Sequence, residues 1–250
     1  MHAILDHTMI RVEDLDASLA FYTDQFGYEE LGRWEADTFT NVYLQAPDAH
    51  EEGAFLELTY NHDGRSYEMG DAWGHIALRV EDVYEAYEEL MDGGVDDYRD
   101  PDSCGGRYAF VKDPDGHEVE LVRREQGPTW SLDHVMMRVE DADAAIGFWT
   151  RKFEYEHAGR WEADSFANYF MVPPEAGEEA IAVELTYNYD GRSYEFGEAW
   201  DHVGIRVDDL DEAWETMQVR EAPTVHDPQD AGVYEARVSD PDGHGVQLFE

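Results

Sequence analysis

The segment LDHTMIRVED, Leu5–Asp14, returns as LDHVMMRVED at Leu132–Asp141, and shorter versions occur as GHIALRVED at Gly74–Asp82 and DHVGIRVDD at Asp201–Asp209. Each copy is rich in β-branched and apolar residues, which predicts a strand. Each copy also ends at an aspartate, a residue that caps helix N-termini well. The fourfold phrase therefore predicts four modules that each begin with a strand followed by a helix.

Longer repeats place these modules in a tandem duplication. RWEAD occurs at Arg33 and Arg160, and DPDGH at Asp113 and Asp240, so that matching segments lie 127 residues apart. A fixed period of this kind is the signature of repeated structural units. The predicted boundaries are two halves, 1–126 and 127–250, and four modules, about 1–68, 69–126, 127–195 and 196–250.

The rest of each module has the pattern of one helix and a few short strands. In the first module the helix is predicted by apolar residues at helical spacing, Leu15, Leu19, Tyr22 and Phe26. Short apolar segments follow, and a DPDG turn separates two of them in the second and fourth modules. The histidines after these turns, His117 and His244, are expected at the surface. One strand, one helix and two or three more strands per module predict an α+β fold.

The charge balance limits the partners and the environment of the protein. Its 250 residues include 59 Asp and Glu against 17 Lys and Arg, a formal net charge of −42. Such a surface repels itself at ordinary ionic strength, whereas molar salt shortens the Debye length to about 3 Å and screens the repulsion. We therefore expect a cytoplasmic protein of an extreme halophile. The charge has the wrong sign for binding nucleic acid or an anionic membrane. The sequence also contains no apolar run of about 18 residues, the length that a membrane-spanning helix needs.

The predicted strands carry polar side chains on one face, because successive residues point to opposite sides of a strand. The residues that share such a face are His7 with Arg11, Glu57 with Asn61, and Glu118 with Glu120. A polar strand face is most often simply solvated. Here, however, imidazole and carboxylate recur at matched positions in both halves, and they are suitable ligands for zinc, nickel, cobalt or iron. If these side chains converge in a cavity, their burial calls for a cation.

Three segments carry a resemblance to a known family. HTMIRVEDLDASLAFYTDQFGY, ELTYN…YEMGDAWGHIALRV and FVKDPDGHEVELV resemble glyoxalase I (lactoylglutathione lyase) of the vicinal oxygen chelate superfamily, over nearly the whole of each half. The resemblance implies four βαβββ modules that form curved mixed sheets around metal sites. It also implies a carbon–sulfur lyase that isomerises the hemithioacetal of methylglyoxal and a thiol to an S-lactoyl thioester, and so detoxifies methylglyoxal.

The resemblance implies two metal sites as well. In the family each site takes two ligands from a first-type module and two from a second-type module across a dimer interface. The implied complete site here is His75, Glu120, His134 and Glu184, and the implied second site is His7, Glu57, His202 and Gln247. The short halves resemble the bacterial form of the family, which prefers nickel or cobalt, so one of these metals is expected here, with zinc as the alternative. A tandem chain already contains both halves of the family dimer, so we expect a monomer.

Catalytic roles follow from the same resemblance. Glu120 and Glu184 are the candidates for the carboxylate that moves the substrate proton. The second site departs from the family pattern at Gln247, where the family has glutamate, and an amide cannot accept a proton near neutral pH. We therefore expect turnover at the Glu120 site and impaired catalysis, or binding alone, at the other. Glu120→Gln should remove most activity, and Gln247→Glu should add some.

The thiol is expected to be glutathione or γ-glutamylcysteine. In the family an arginine and an asparagine hold the γ-glutamyl end of glutathione, and the matching pairs here are Arg11 with Asn61 and Arg138 with Asn188. A family lysine near the glycyl carboxylate is absent. Cys104 stands at its position in the first half, and Asp230 lies nearby in the second. This loss favours γ-glutamylcysteine, the thiol of halophilic archaea, which lacks the glycyl residue.

Two other functions within the superfamily stay open. An extradiol dioxygenase needs two histidines and one carboxylate around Fe(II), and the fourth ligand, Glu120, favours glyoxalase over that reaction. A metal-free protein that binds small molecules would keep the fold without a complete ligand set. The metal content of the purified protein distinguishes the three.

Overall fold

The computed structural model describes residues 2–47, 49, 54–177, 180–227 and 235–250. The elements of the first half are β1 Ala3–Val12, α1 Leu15–Ala20, β2 Glu29–Glu35, β3 Phe39–Gln45, β4 Phe55–Asn61, β5 Trp73–Val80, α2 Val83–Asp92, β6 Tyr108–Lys112 and β7 Glu118–Arg123. Those of the second half are β8 Leu132–Val139, α3 Ala142–Lys152, β9 Glu156–Glu162, β10 Phe166–Val172, β11 Ala182–Asn188, β12 Trp200–Val207, α4 Leu210–Val219, β13 Thr224–His226, β14 Glu235–Ser239 and β15 Gly245–Phe249.

The strands form two mixed sheets, and each sheet combines one module from each half. One sheet has the order β13-β14-β15-β12-β1-β4-β3-β2, which joins the first and fourth modules. The other has the order β6-β7-β5-β8-β11-β10-β9, which joins the second and third. The α+β fold of repeated modules is thus confirmed. The second module departs from the βαβββ pattern, because its second strand is reduced to an isolated bridge between Arg99 and Phe110.

The aspartates that end the fourfold phrase cap all four helices. Asp14, Asp82, Asp141 and Asp209 have extended backbone conformations, and their side chains accept hydrogen bonds from backbone amides of the first helical turn. Loss of such a cap typically costs about 1 kcal/mol. The first helix ends in a π-helical turn, Phe21–Gln25. Within the described residues, no helix has the length and apolar character that crossing a membrane requires.

The two halves cross each other at a pair of matched loops. Asp71 N donates to Glu195 O at 2.7 Å, and the symmetric bond runs from Glu198 N to Glu68 O at 2.7 Å. A side chain at Gly70 would place its Cβ 2.4 Å from Glu195 O, so only glycine allows this approach. Next to the crossing, the indoles of Trp73 and Trp200 stack with their centroids 5.1 Å apart. The crossing therefore holds the two sheets together.

The expectation that His117 and His244 lie at the surface is wrong. Both side chains are buried, at 1% and 0% exposure. His117 Nδ1 lies 3.0 Å from Asp113 Oδ2, and its Nε2 lies 3.2 Å from the carbonyl oxygen of Ala199 in the other half. His244 makes the same contacts with Asp240 and Ala72. The DPDGH turn folds back on its own aspartate, and this points the imidazole into the junction between the halves.

These two histidines carry a charge in the folded protein. A carboxylate and a carbonyl oxygen only accept hydrogen bonds, so both ring nitrogens have to donate, which requires the imidazolium form. Burial alone would lower the pKa of His117, but Asp113 outweighs it and raises that pKa. The pKa of His244 is raised in the same way beside Asp240.

Candidate metal centres

The four side chains of the implied complete site converge on one point. His75, Glu120, His134 and Glu184 lie on β5, β7, β8 and β11, which are neighbours in the seven-stranded sheet. All four are buried, and their ligand atoms lie within 4.8 Å of one another. The Nε2 atoms of His75 and His134 are 3.1 Å apart. Glu120 Oε2 lies 2.9 Å and 3.1 Å from these two nitrogens, and Glu184 Oε2 lies 2.9 Å from His134 Nε2.

The same strand register produces this convergence in every module. In the parallel pair of β5 and β7, Glu120 lies opposite Ala77, two residues beyond His75. In the pair of β8 and β11, Glu184 lies opposite Met136, two residues beyond His134. The carboxylate is therefore the diagonal neighbour of its histidine on the same face, within reach of its ring.

A carboxylate behind His134 orients its ring. Asp133 Oδ2 lies 2.8 Å from His134 Nδ1, and Asp133 is itself held by Arg124, at 2.7 Å, and by Arg79, at 3.3 Å. A proton on Nδ1 that is donated to Asp133 leaves the Nε2 lone pair free for a metal. The residue before His75 is Gly74, where His134 has Asp133. A Cβ at Gly74 would lie 2.3 Å from Met136 Cε.

The electrostatics of the cluster favour a bound cation. Burial would raise the pKa of the Glu120 carboxyl, but the imidazoles of His75 and His134 outweigh it and hold the pKa well below its usual range. Burial would lower the pKa of His134, but Glu184 and Asp133 raise it well above its usual value. The Glu120 carboxylate therefore stays ionised at a buried point where two imidazoles and a second carboxylate also converge. This donor set fits a divalent transition metal or zinc.

A large cavity leads to this centre. Its volume is about 860 Å³, and all four candidate ligands line it. Its apolar lining includes Met136, Phe110 and Phe170. Five of the chain's 15 arginines also line it, namely Arg99, Arg107, Arg123, Arg124 and Arg138. In a chain with a net charge of −42, such a concentration of cations indicates an anionic ligand.

The predicted substrate-binding pair of this half, Arg138 and Asn188, lines the same cavity. Arg138 Nη1 donates to the carbonyl oxygens of Asp71, at 2.9 Å, and Trp73, at 2.7 Å. Asn188 Nδ2 donates to the hydroxyl of Tyr194 at 2.7 Å. The structure thus brings the pair beside the centre, and its role in substrate binding stays a prediction. Cys104 is buried and lines the cavity too, whereas Asp230 lies outside the described residues.

The second set also converges, on β1, β4, β12 and β15 of the eight-stranded sheet. His7 Nε2 lies 3.0 Å from Gln247 Oε1, 3.2 Å from His202 Nε2 and 3.4 Å from Glu57 Oε2. Burial raises the pKa of Glu57 and lowers the pKa of His202 to about 4. The two centres therefore share a geometry but differ in electrostatics.

The matching pair Arg11 and Asn61 lies beside the second centre in the sequence pattern but lines a different cavity from the large one at the complete centre. Both line a smaller cavity of about 420 Å³ that also reaches Trp73 and Trp200. None of His7, Glu57, His202 and Gln247 belongs to its lining. The sequence match predicted a substrate contact for both pairs. Arg138 and Asn188 line the cavity of the complete centre, and the contact predicted for Arg11 and Asn61 stays a prediction.

Several residues of the two centres were missed by sequence reasoning. Asp133 is one, although the dipeptide Asp-His, which occurs in three of the four phrases, could have indicated it. Apart from Arg138, which the family resemblance indicated, the arginines on the cavity wall gave no such signal, because they come from separate loops and strand ends. Glu235 and Arg237 lie beside the second centre, where Gln247 Nε2 donates to the Glu235 carboxylate and Arg237 Nη2 contacts His202 Nδ1 at 2.8 Å.

Both halves of the sequence match the model of one protein family. The model of the Glyoxalase/Bleomycin resistance protein/Dioxygenase superfamily matches residues 4–121 and again residues 131–248. The chain belongs to this superfamily. Its two matched regions correspond to the two halves, so each half of the chain is one superfamily domain built from two modules.

Named members of the superfamily resemble one half of the chain or most of its length. A lactoylglutathione lyase of Arabidopsis thaliana is 34% identical over 221 residues, which covers 85% of this chain and 77% of that protein. A probable lactoylglutathione lyase of Vibrio cholerae is 42% identical over 130 residues, which covers 50% of this chain and 93% of the bacterial protein. The crystal structure of glyoxalase I from Zea mays matches with a TM-score of 0.88 at 28% identity, and covers 98% of this chain and 92% of that chain.

Proposed function

We propose that the chain is a metal-dependent glyoxalase I. It isomerises the hemithioacetal of methylglyoxal and a thiol to an S-lactoyl thioester, and it does so at the centre formed by His75, Glu120, His134 and Glu184. One observation carries the proposal. A complete set of two imidazoles and two carboxylates lies in a cavity whose walls are aromatic and cationic. The resemblance to lactoylglutathione lyases over 85% of the chain supports the same reaction.

The reaction moves one proton from the carbon that bears sulfur to the neighbouring carbon, and the hydroxyl proton to the neighbouring oxygen, with no net oxidation. The four side chains would hold a divalent metal, which supplies a Lewis acid that stabilises negative charge on the substrate oxygens. A carboxylate takes the proton from the carbon that bears sulfur and returns it to the neighbouring carbon. Glu120 and Glu184 lie 3.1 and 2.9 Å from His134 Nε2 and are the two candidate carboxylates, and Glu120 is the one on which most turnover is expected to depend.

The walls of the cavity support a thiol that carries carboxylates. Most arginines of this acidic chain are paired with a carboxylate. Among the described residues, the guanidinium groups of Arg99, Arg107 and Arg123 have no such partner, and all three line the cavity. They compensate for the absent family lysine, since Arg107 directly follows Gly105 and Gly106. Glutathione and γ-glutamylcysteine both have a carboxylate at each end, and both fit the charge of this cavity.

The test is thioester formation by metal-reconstituted protein in molar KCl. The protein is stripped of metal, loaded with Ni²⁺, Co²⁺ or Zn²⁺, and supplied with methylglyoxal and either thiol. We expect S-lactoyl thioester, with nickel or cobalt giving more turnover than zinc. Cleavage of a catechol by the Fe(II) form with O₂ would indicate a dioxygenase instead. Failure to retain any metal would indicate a binding protein.

The environment and the assembly state belong to the same proposal. A net charge of −42 favours the cytoplasm of a cell that accumulates salt. Each candidate centre takes its four residues from a single chain, so a monomer suffices for activity. Sedimentation in molar KCl should give the mass of one chain, and a stable dimer would contradict this part.

A further inference from the structure

In the second centre, the arginine that matches Arg138 is Arg11, and it is paired with a carboxylate of the chain itself, Asp201. Asp201 Oδ1 lies 2.6 Å from Arg11 Nη2. Its other oxygen, Oδ2, lies 2.6 Å from Arg237 Nη2 and 2.9 Å from His202 Nδ1. One aspartate therefore spans from the small cavity at Arg11 to the side chains of the second centre.

The complete centre has no counterpart of this aspartate. The residue 127 positions before Asp201 is Gly74, and no side chain could replace its hydrogen without displacing Met136. Arg138 donates to the carbonyl oxygens of Asp71 and Trp73, whereas Arg11 donates to the matching carbonyl oxygen of Glu198 and in addition binds Asp201. Among the described residues Arg138 has no carboxylate partner, so its charge remains available to a ligand.

The cavity wall has changed together with this residue. Arg237 stands at the position of Phe110, and Glu235 at the position of Tyr108, both of which line the large cavity of the complete centre. In the second centre Arg237 binds Asp201, and Glu235 accepts from Gln247. Two aromatic side chains of the cavity wall are thus replaced by charged side chains that make contacts within the second centre.

We propose that Asp201 acts as an internal anion that occupies the carboxylate-binding position of the second centre and closes it to thiol peptides. The inference rests on the proposed function, because it assumes that the complete centre takes an anionic thiol adduct. It changes the expectation for Gln247→Glu, which restores a base to a centre that the substrate cannot enter. That substitution alone should therefore add no turnover.

Binding stoichiometry tests the closure directly. The probe is S-methylglutathione, an unreactive thioether with both carboxylates, titrated calorimetrically into metal-loaded protein in molar KCl. We expect one equivalent per chain for the wild type and two for Asp201→Gly, which copies the residue at Gly74. Asp201→Gly combined with Arg11→Met should return to one. Asp208→Asn is the matched control, because Asp208 has the same charge and a side chain that is 79% exposed.

The outcomes separate this inference from the proposed function. Two equivalents in the wild type, or one in a folded Asp201→Gly variant with an unchanged circular dichroism spectrum, would overturn the role of Asp201. Asp201→Asn, which keeps the side-chain volume, should also gain the second equivalent, with weaker affinity than the glycine variant. No binding and no thioester formation by the wild type would overturn the proposed function, and the inference with it.

Turnover provides an independent readout in a Glu120→Gln background, where the complete centre has lost its base. Adding Gln247→Glu alone should leave the residual rate unchanged. Adding Gln247→Glu with Asp201→Gly, Arg237→Phe and Glu235→Tyr should raise it at least about tenfold, within the contribution of a general base. A rise of that size with Gln247→Glu alone would show that Asp201 does not close the centre.

Discussion

Glu120→Gln is the substitution that most directly tests the assignment of the complete centre. Glu120 Oε2 lies 2.9 Å from His75 Nε2 and 3.1 Å from His134 Nε2, in a pocket where its side chain is 9% exposed. Glutamine has the same shape, and its carbonyl oxygen can keep one contact to the metal. It cannot accept a proton near neutral pH. The variant therefore retains the fold and loses the base.

The magnitude follows from the role. A positioned general base contributes about 10²- to 10⁴-fold in rate, which corresponds to about 2.7–5.4 kcal/mol in the barrier. The imidazoles of His75 and His134 keep the pKa of Glu120 low, so the wild-type carboxylate is ionised at neutral pH and ready to accept a proton. We expect kcat to fall by at least about 10², with a smaller change in KM, because the cavity arginines are untouched.

The assay is S-lactoyl thioester formation in molar KCl, with the metal content of each preparation measured in parallel. The matched control is Glu118→Gln, two residues along the same strand face, whose carboxylate lines the cavity and accepts from the Tyr98 hydroxyl at 2.7 Å. It removes the same charge and should change kcat less than about threefold. A metal-loaded Glu120→Gln variant that keeps more than about a tenth of the wild-type kcat would refute the reasoning.

Four further outcomes are expected. The temperature of unfolding should rise steeply between about 0.1 and 1 M KCl, since the Debye length shortens from about 10 to 3 Å over this range. An unfolding temperature that does not change with KCl would contradict the hypothesis of a halophilic source. Removal of the metal by a chelator should lower that temperature, because a ligand at 100 times its Kd stabilises the fold by about 2.7 kcal/mol. The pKa of His117 is higher in the folded than in the unfolded protein, so its protonation stabilises the fold. This stabilisation is fully present below the unfolded-state pKa of about 6.5 and is lost as the pH rises through the folded-state pKa. His117→Gln should therefore reduce the pH dependence of the urea unfolding midpoint between pH 6 and 9. Arg107→Ala and Arg123→Ala should each raise KM for the thiol adduct about tenfold with little change in kcat, whereas Arg151→Ala, an exposed arginine outside the cavity lining, should change neither.

The sequence alone was sufficient to predict the structural features that repeat along the chain. The fourfold phrase predicted four strand–helix beginnings, and the aspartates at its ends cap all four helices. Local patterns of this kind depend on neighbouring residues, so periodicity and capping rules capture them. The α+β architecture follows from the same pattern.

Features that depend on contacts between residues far apart in the sequence could not be predicted from such local patterns. No periodicity specifies that β1 pairs with β12, or that β5 pairs with β8. The burial of His117 illustrates the limit. A histidine after a turn is usually solvated, and only the loop crossing between the halves encloses it. The charged pair at the second centre was missed for the same reason, because Arg237 acquires its partner Asp201 from another strand.

The shared register explains how two centres of one chain can differ in function while their frameworks stay alike. In each module the ligand on the last strand is diagonal to its histidine; Glu57 lies opposite Met9, and Gln247 lies opposite Gly204. A slip of one residue would turn every ligand to the opposite face of its sheet. The duplicated backbone therefore preserves the convergence of four side chains at both centres. Under the proposed function, the replacements at Asp201, Arg237 and Gln247 would remove the anion site, the apolar wall and the base from one centre, while the strand register that supports both centres stays the same.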